Sequence, residues 1–183
     1  MAQAREVAGT GEEPGAPVEA AGGREAGAAR AGTEAGAGAG RSPREVAAQV
    51  RRMVAGEGVV FADVFAEDAV FTYPFAAPGM PGELVGREEI REFFGAHGDA
   101  RSLFRMDGVD AVIRETDDPE VVVAEIRHHG WSHVTNAPYR HTAVGVIRVR
   151  DGLIVHYDDY MNPIATAQLL GRANDLAAAL TTG

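Results

Sequence analysis

The stretch that decides the fold is Val144-Gly145-Val146-Ile147-Arg148-Val149-Arg150, Asp151-Gly152, Leu153-Ile154-Val155-His156-Tyr157-Asp158-Asp159-Tyr160-Met161. Two runs rich in β-branched residues flank Asp-Gly, the dipeptide that best supplies the positive φ angles of a two-residue hairpin turn. The first run extends back to Tyr139, so strands are expected over 139–150 and 153–161. Working backwards, Val121 to His129 reads as another strand. Val109 to Arg114 reads as one more, closed by the turn at Thr116-Asp117-Asp118-Pro119. Gly130 to Pro138 reads as a long irregular connection.

Earlier in the chain the period changes. Ser42-Pro43 is an N-cap followed by a first-turn proline, with Glu45 placed to favour the positive helix end. Val46, Val50, Met53 and Val54 then recur at helical spacing. A second short helix is expected over 59–65, an extended piece over Ala69–Tyr73 and a loop over Ala77–Gly82. Gly86 opens a third helix from Arg87 to about Gly95, and a last helical stretch runs from Ile164 to Leu180. Helices first and an antiparallel sheet afterwards indicate α+β. Residues 1–41 are Ala- and Gly-rich and contain no Leu, Ile, Phe, Tyr or Trp. They have little to bury against the entropy of ordering, so a disordered tail is expected there, with one domain over 42–183.

Composition excludes several functions. The 183 residues carry a formal net charge of −10 and no cysteine. An acidic surface without a basic cluster repels phosphate backbones, so no nucleic-acid partner is expected. Disulfides, thiolate metal sites and a cysteine nucleophile are impossible. No apolar run approaches the roughly 20 residues that span a bilayer. With no recognisable leader, the default expectation is a cytoplasmic protein without a membrane partner.

The order α-α-β-α-β-β-β-β resembles the nuclear transport factor 2-like superfamily, and within it the SnoaL-like branch. So do the words Phe65-Ala66-Glu67-Asp68-Ala69-Val70-Phe71, Gly86-Arg87-Glu88-Glu89-Ile90 and the hairpin running into Asp158-Asp159-Tyr160-Met161-Asn162. The resemblance implies a cone-shaped, curved mixed sheet wrapped around helices and one small-molecule pocket. The branch holds polyketide cyclases, ketosteroid isomerases, limonene-type epoxide hydrolases, phenazine-biosynthesis proteins and binders without chemistry. Proteins of this kind commonly pair through the outer sheet face, so a homodimer is expected.

Strand parity nominates the site residues. Along the last strand Leu153, Val155, Tyr157, Asp159 and Met161 share one face, with Ile154, His156, Asp158 and Tyr160 on the other. A carboxylate on an apolar face is desolvated, which raises its pKa towards neutrality and suits it to proton transfer. The resemblance points to the same residue: Asp159 falls where limonene-type hydrolases carry an acid and phenazine-type proteins an acid/base glutamate. His141 shares a face with Ala143 and Gly145, whose small size leaves room for a cavity. Glu125 would supply a second carboxylate if its face of the strand turns inward, and His128 would line the pocket if the opposite face does; parity leaves both open. Tyr73, Tyr157 and Met161 are candidate substrate contacts. By resemblance to phenazine-type proteins, so are Phe93 and His97.

Two departures set limits. The limonene-type Asp-Arg-Asp set is replaced here by Glu125-Ile126-Arg127-His128, with Tyr73 nearest the Asn position. The isomerases' acidic donor falls near Gly145. No dinucleotide fingerprint or phosphate-cradling loop is present, and His128, His129 and His133 do not form a ligand set, so neither cofactor nor metal is expected. The expectation is a cofactor-independent enzyme of specialised metabolism that cyclises, isomerises or opens an epoxide in a largely apolar substrate. The alternative is a non-catalytic binding or assembly protein with the same cone. Two convergent titratable groups in the pocket would favour the enzyme.

Overall fold

The computed structural model describes residues 40–96 and 102–181; the expected tail lies outside them but for its last two residues. The element order is α1 (Pro43–Val54), a 3₁₀ turn (Phe61–Val64), β1 (Phe65–Thr72), β2 (Glu83–Val85), α2 (Arg87–Ala96), β3 (Phe104–Glu115), β4 (Val121–Ser132), β5 (Ala137–Arg150), β6 (Leu153–Met161), α3 (Pro163–Leu169) and α4 (Ala173–Thr181). The strands form one six-stranded sheet in the order β2-β1-β6-β5-β4-β3. Every neighbouring pair is antiparallel except β1 and β6, which run parallel. The expected mixed α+β sheet is therefore present.

Local chemistry starts the domain where the sequence indicated. Ser42 caps α1 in a capping box: its Oγ accepts from the Glu45 amide, and the Glu45 carboxylate accepts from the Ser42 amide. The buried stripe of α1, Val46, Ala47 and Val50, packs against β3, β4 and β5. Phe61, Phe65, Phe71 and Tyr157 join it in one aromatic core, with Phe71 stacked on Tyr157 at 4.9 Å and 15°.

Several boundaries differ from expectation, each for a physical reason. Gly130–Pro138 is no irregular connection. β4 and β5 pair continuously to Ser132 opposite Ala137, and residues 133–136 turn with Asn136 at φ 50°. β1 begins at Phe65 because Phe65 already pairs with Ile154. The three-residue β2 within the Pro81–Gly86 region is too short to show a period. The C-terminal helix is two helices, broken at Gly171 with φ +72°; a Cβ there would also stand 2.6 Å from Val134 Cγ1.

The most consequential difference is a bulge. On β6, Ile154 pairs with Val149 and His156 with Arg148, so Val155 has no opposite number. The extra residue reverses the phase. Ile154, expected outside, is fully buried, while Tyr157, Asp159 and Met161 keep their inward face.

Candidate functional site

A cavity of about 250 Å³ lies between the concave face of the sheet, α1 and α3. Its walls are mostly apolar: Val50 and Met53 from α1, Phe61, Phe71, Phe94, Phe104 and Ile126, with Leu169 and Leu170 closing it from α3. Among the described residues, five polar side chains reach it, those of His128, His141, Tyr157, Asp159 and Thr166. A few polar groups in an apolar enclosure are what a small-molecule site requires. A wider groove of about 550 Å³ runs past Met53 and Phe94. Its one charged side chain among the described residues, Arg91, is already held by Asp63 and Glu88. The smaller cavity is where the titratable side chains converge.

β6 carries two adjacent aspartates with opposite surroundings. Asp158 faces out, accepting from the Thr72 hydroxyl at 2.6 Å and meeting His156 Nε2 at 2.8 Å. Asp159 faces in, and its Oδ1 is closed to solvent with no hydrogen-bond partner among the described residues. Burial without compensation pushes its pKa up to about 7, so the carboxyl is part protonated at neutral pH. Across the ladder Asp159 pairs with Gly145, and Tyr157 is two residues away on the same face. Burial raises the Tyr157 phenol well above its ordinary range, and the charge of Asp159 adds to this. Tyr73 is shifted upward for the same two reasons.

His141 stands on β5, directly opposite His128 on β4, with ring centroids 4.9 Å apart. Its Nε2 lies 2.8 Å from Thr166 Oγ1 on α3, while Nδ1 is buried without a partner among the described residues. Burial lowers its pKa, which keeps the ring neutral at pH 7. His128 Nδ1 meets the Tyr139 hydroxyl at 3.1 Å. Four residues separate His141 from Gly145 along β5, about 14 Å of strand. The two titratable groups thus stand well apart on the wall of one cavity.

The structure brings together Asp159, His141, His128, Tyr157 and Met161, all on the cavity wall. It does not bring Glu125. The inward face of β4 is Val122, Ala124, Ile126 and His128, which turns Glu125 to the outer surface. There Arg127 and Arg114 bind its carboxylate, and the bond to Arg127 holds it below its ordinary range. A carboxylate so paired is a poor base, and the proposed partnership with Asp159 is corrected on that ground. Tyr73 and Phe93 form the layer behind the wall: Tyr73 packs on Phe71 at 4.9 Å and on Phe93 at 6.1 Å. His97 lies outside the described residues. Sequence reasoning missed Thr166, because nothing in a short Ala-rich helix signals contact with a strand 25 residues earlier. Among the described residues, no group of three His, Asp or Glu side chains could hold a metal ion. No helix among them is long and apolar enough to cross a membrane.

Comparison with known proteins fits this geometry. The uncharacterized protein YesE of Bacillus subtilis is 29% identical over 109 residues, 60% of this chain and 73% of its own length. An uncharacterized PhzA/B-like protein of Pseudomonas aeruginosa is 29% identical over 125 residues, 67% of this chain and 84% of its own. The crystal structure of a Bacillus subtilis protein provisionally named an isomerase superposes with a TM-score of 0.60 at 27% identity, covering 72% of this chain and 97% of that one. The family model for the SnoaL-like domain matches residues 37–157, two-thirds of the sequence and the whole span from α1 to Tyr157. The chain belongs to the SnoaL-like domain family.

Proposed function

We propose that the cavity binds a compact, largely apolar carbonyl compound and that Asp159 moves a proton on it. The observation that carries this reading is the Asp159 carboxyl itself: enclosed by apolar walls, unpartnered at Oδ1, and poised near neutrality at about 7. A group with that pKa exists in both forms at pH 7 and so serves equally as base and acid. As carboxylate, Asp159 removes a proton from the carbon beside the carbonyl; as carboxylic acid, it returns that proton to a different atom. The substrate is isomerised or cyclised, and the protein ends as it began. His141, kept neutral by burial, lines the same cavity. The likeness to the provisionally named isomerase supports this class of reaction. The proposal extends to an enzyme of specialised metabolism working as a homodimer that docks the outer sheet face.

The test is proton exchange. In D₂O a panel of small ketones and enones is incubated with the protein, and deuterium beside the carbonyl is read by mass spectrometry. Asp159→Asn keeps shape but cannot exchange the proton, and should slow the reaction by roughly 10²–10⁴-fold. Full exchange in the Asn variant ends the assignment. A second reading, a binder without chemistry, is favoured by the closure of Oδ1 to solvent. Saturable binding of panel members without exchange in the parent protein supports that reading instead.

A further inference from the structure

Thr166 projects from α3 into the same cavity and holds three contacts with one oxygen. Its Oγ1 lies 2.8 Å from His141 Nε2, 3.0 Å from the Asn162 carbonyl oxygen and 3.7 Å from Met161 Sδ. A hydroxyl has one proton to give and two lone pairs to offer. The geometry to Asn162 suits donation, one turn back along the helix. With the proton committed there, the lone pairs remain for His141, and Nε2 must bring the hydrogen.

The other ring nitrogen leads to the same assignment independently. Nδ1 is closed to solvent and has no partner among the described residues. If it carried the hydrogen, a buried N–H would be orphaned, which folded proteins almost never tolerate. An orphaned lone pair is the lesser cost. Burial, which lowers the pKa, removes the alternative of a doubly protonated ring at pH 7.

We propose that Thr166 is a positioning residue: it fixes His141 as the Nε2–H tautomer and leaves the enclosed Nδ1 bare, in the wall of the cavity that holds Asp159. A neutral imidazole tied in this way donates at Nε2 and can only accept at Nδ1. The part this plays in turnover rests on the acid/base reading of the pocket; the tautomer itself does not.

The experiment uses the full chain with ¹⁵N-labelled histidine at pH 7.5. Two-bond ¹H–¹⁵N spectra read each ring nitrogen as protonated or bare, and His141→Gln identifies the His141 signals. In the parent, Nε2 should read as protonated and Nδ1 as bare. Thr166→Ser keeps the hydroxyl and should keep that pattern. Thr166→Val keeps the shape without the hydroxyl and should mix or invert the tautomers. A protonated Nδ1 in the parent, or an unchanged tautomer in Thr166→Val, overturns the proposal. If Thr166→Val does not fold, the parent and Thr166→Ser spectra still decide the assignment. Failure of the acid/base reading looks different, since proton exchange would then survive Asp159→Asn whatever the tautomer.

Discussion

The phenol of Tyr157 lies directly over the backbone of Gly145: a Cβ on that glycine would stand 2.5 Å from the Tyr157 hydroxyl oxygen and 2.7 Å from Cζ. Only a residue without a side chain lets the ring lie flat there, stacked on Phe71 from behind. Because Gly145 is also the ladder partner of Asp159, the ring ends beside that carboxyl. Gly145→Ala should therefore push Tyr157 off Phe71 at a cost of about 1–3 kcal/mol, the usual range for overpacking. Denaturant unfolding measures the loss, and the tyrosine ring shifts report whether Tyr157 has moved. An unchanged midpoint with unchanged ring shifts contradicts this packing.

Asp159 makes stability depend on pH in an unusual direction. Its folded pKa of about 7 lies above the ordinary value of 3.8, so between those limits the native state binds more protons than the unfolded chain. The native state thus loses stability as pH rises from about 4 to about 7, and the deficit is complete above that. Asp159→Asn removes the effect. The variant should match the parent at pH 4 and exceed it at pH 8, by up to about 4 kcal/mol if the whole shift is expressed. The His141 contribution, opposite in sign, is common to both proteins and cancels. Urea unfolding of the pair at several pH values provides the check; a difference that does not vary with pH excludes a buried carboxyl.

The bulge at Val155 makes a prediction that simple alternation reverses. Ile154 is fully buried, whereas Leu153 keeps part of its surface in solvent. Ile154→Ala should cost about 2–5 kcal/mol and Leu153→Ala much less. Equal losses, or the opposite order, would place the phase change elsewhere in the strand.

The outer face of β5 and β6 presents Val144, Val146, His156 and Tyr160, half-buried or exposed. Light scattering should give a dimer mass at micromolar concentration. Val146→Glu, which sets a charge in the middle of that face, should shift it to the monomer mass. A monomeric parent rules the dimer out.

How much of this was legible in the sequence depends on where each signal resides. The Asp151-Gly152 hairpin and the Ser42 cap are local, and both are found where the residues indicated. Asp159 was legible as an inward carboxylate because Tyr157, Asp159 and Met161 all follow the bulge, so alternation holds among them. Ile154 was not, because no residue type marks Val155 as extra; the register is set by pairing with β1 and β5. For β4, Glu125 and His128 sit on opposite faces, and the choice between them belongs to the helix packed above. Ala124, fully buried, could be read from neither face alone. Thr166 is the extreme case: its partner lies on a different element, and the hydrogen bond exists only once α3 closes over the sheet.

The parallel pairing of β1 with β6 has a consequence for how the molecule comes into being. Thr72 bonds to Asp158 across 86 residues of sequence, and every other element of the sheet is translated in between. During synthesis β1 therefore emerges with one edge unmatched and must wait for β6 to leave the ribosome. Pairings at such long range close slowly, because a large loop is ordered before any contact rewards it. Meanwhile the hydrophobic run Ala69-Val70-Phe71 has an exposed strand edge that other nascent chains could join. The residues that finish the pocket, from Tyr157 to Leu170, are also the ones that end this waiting period.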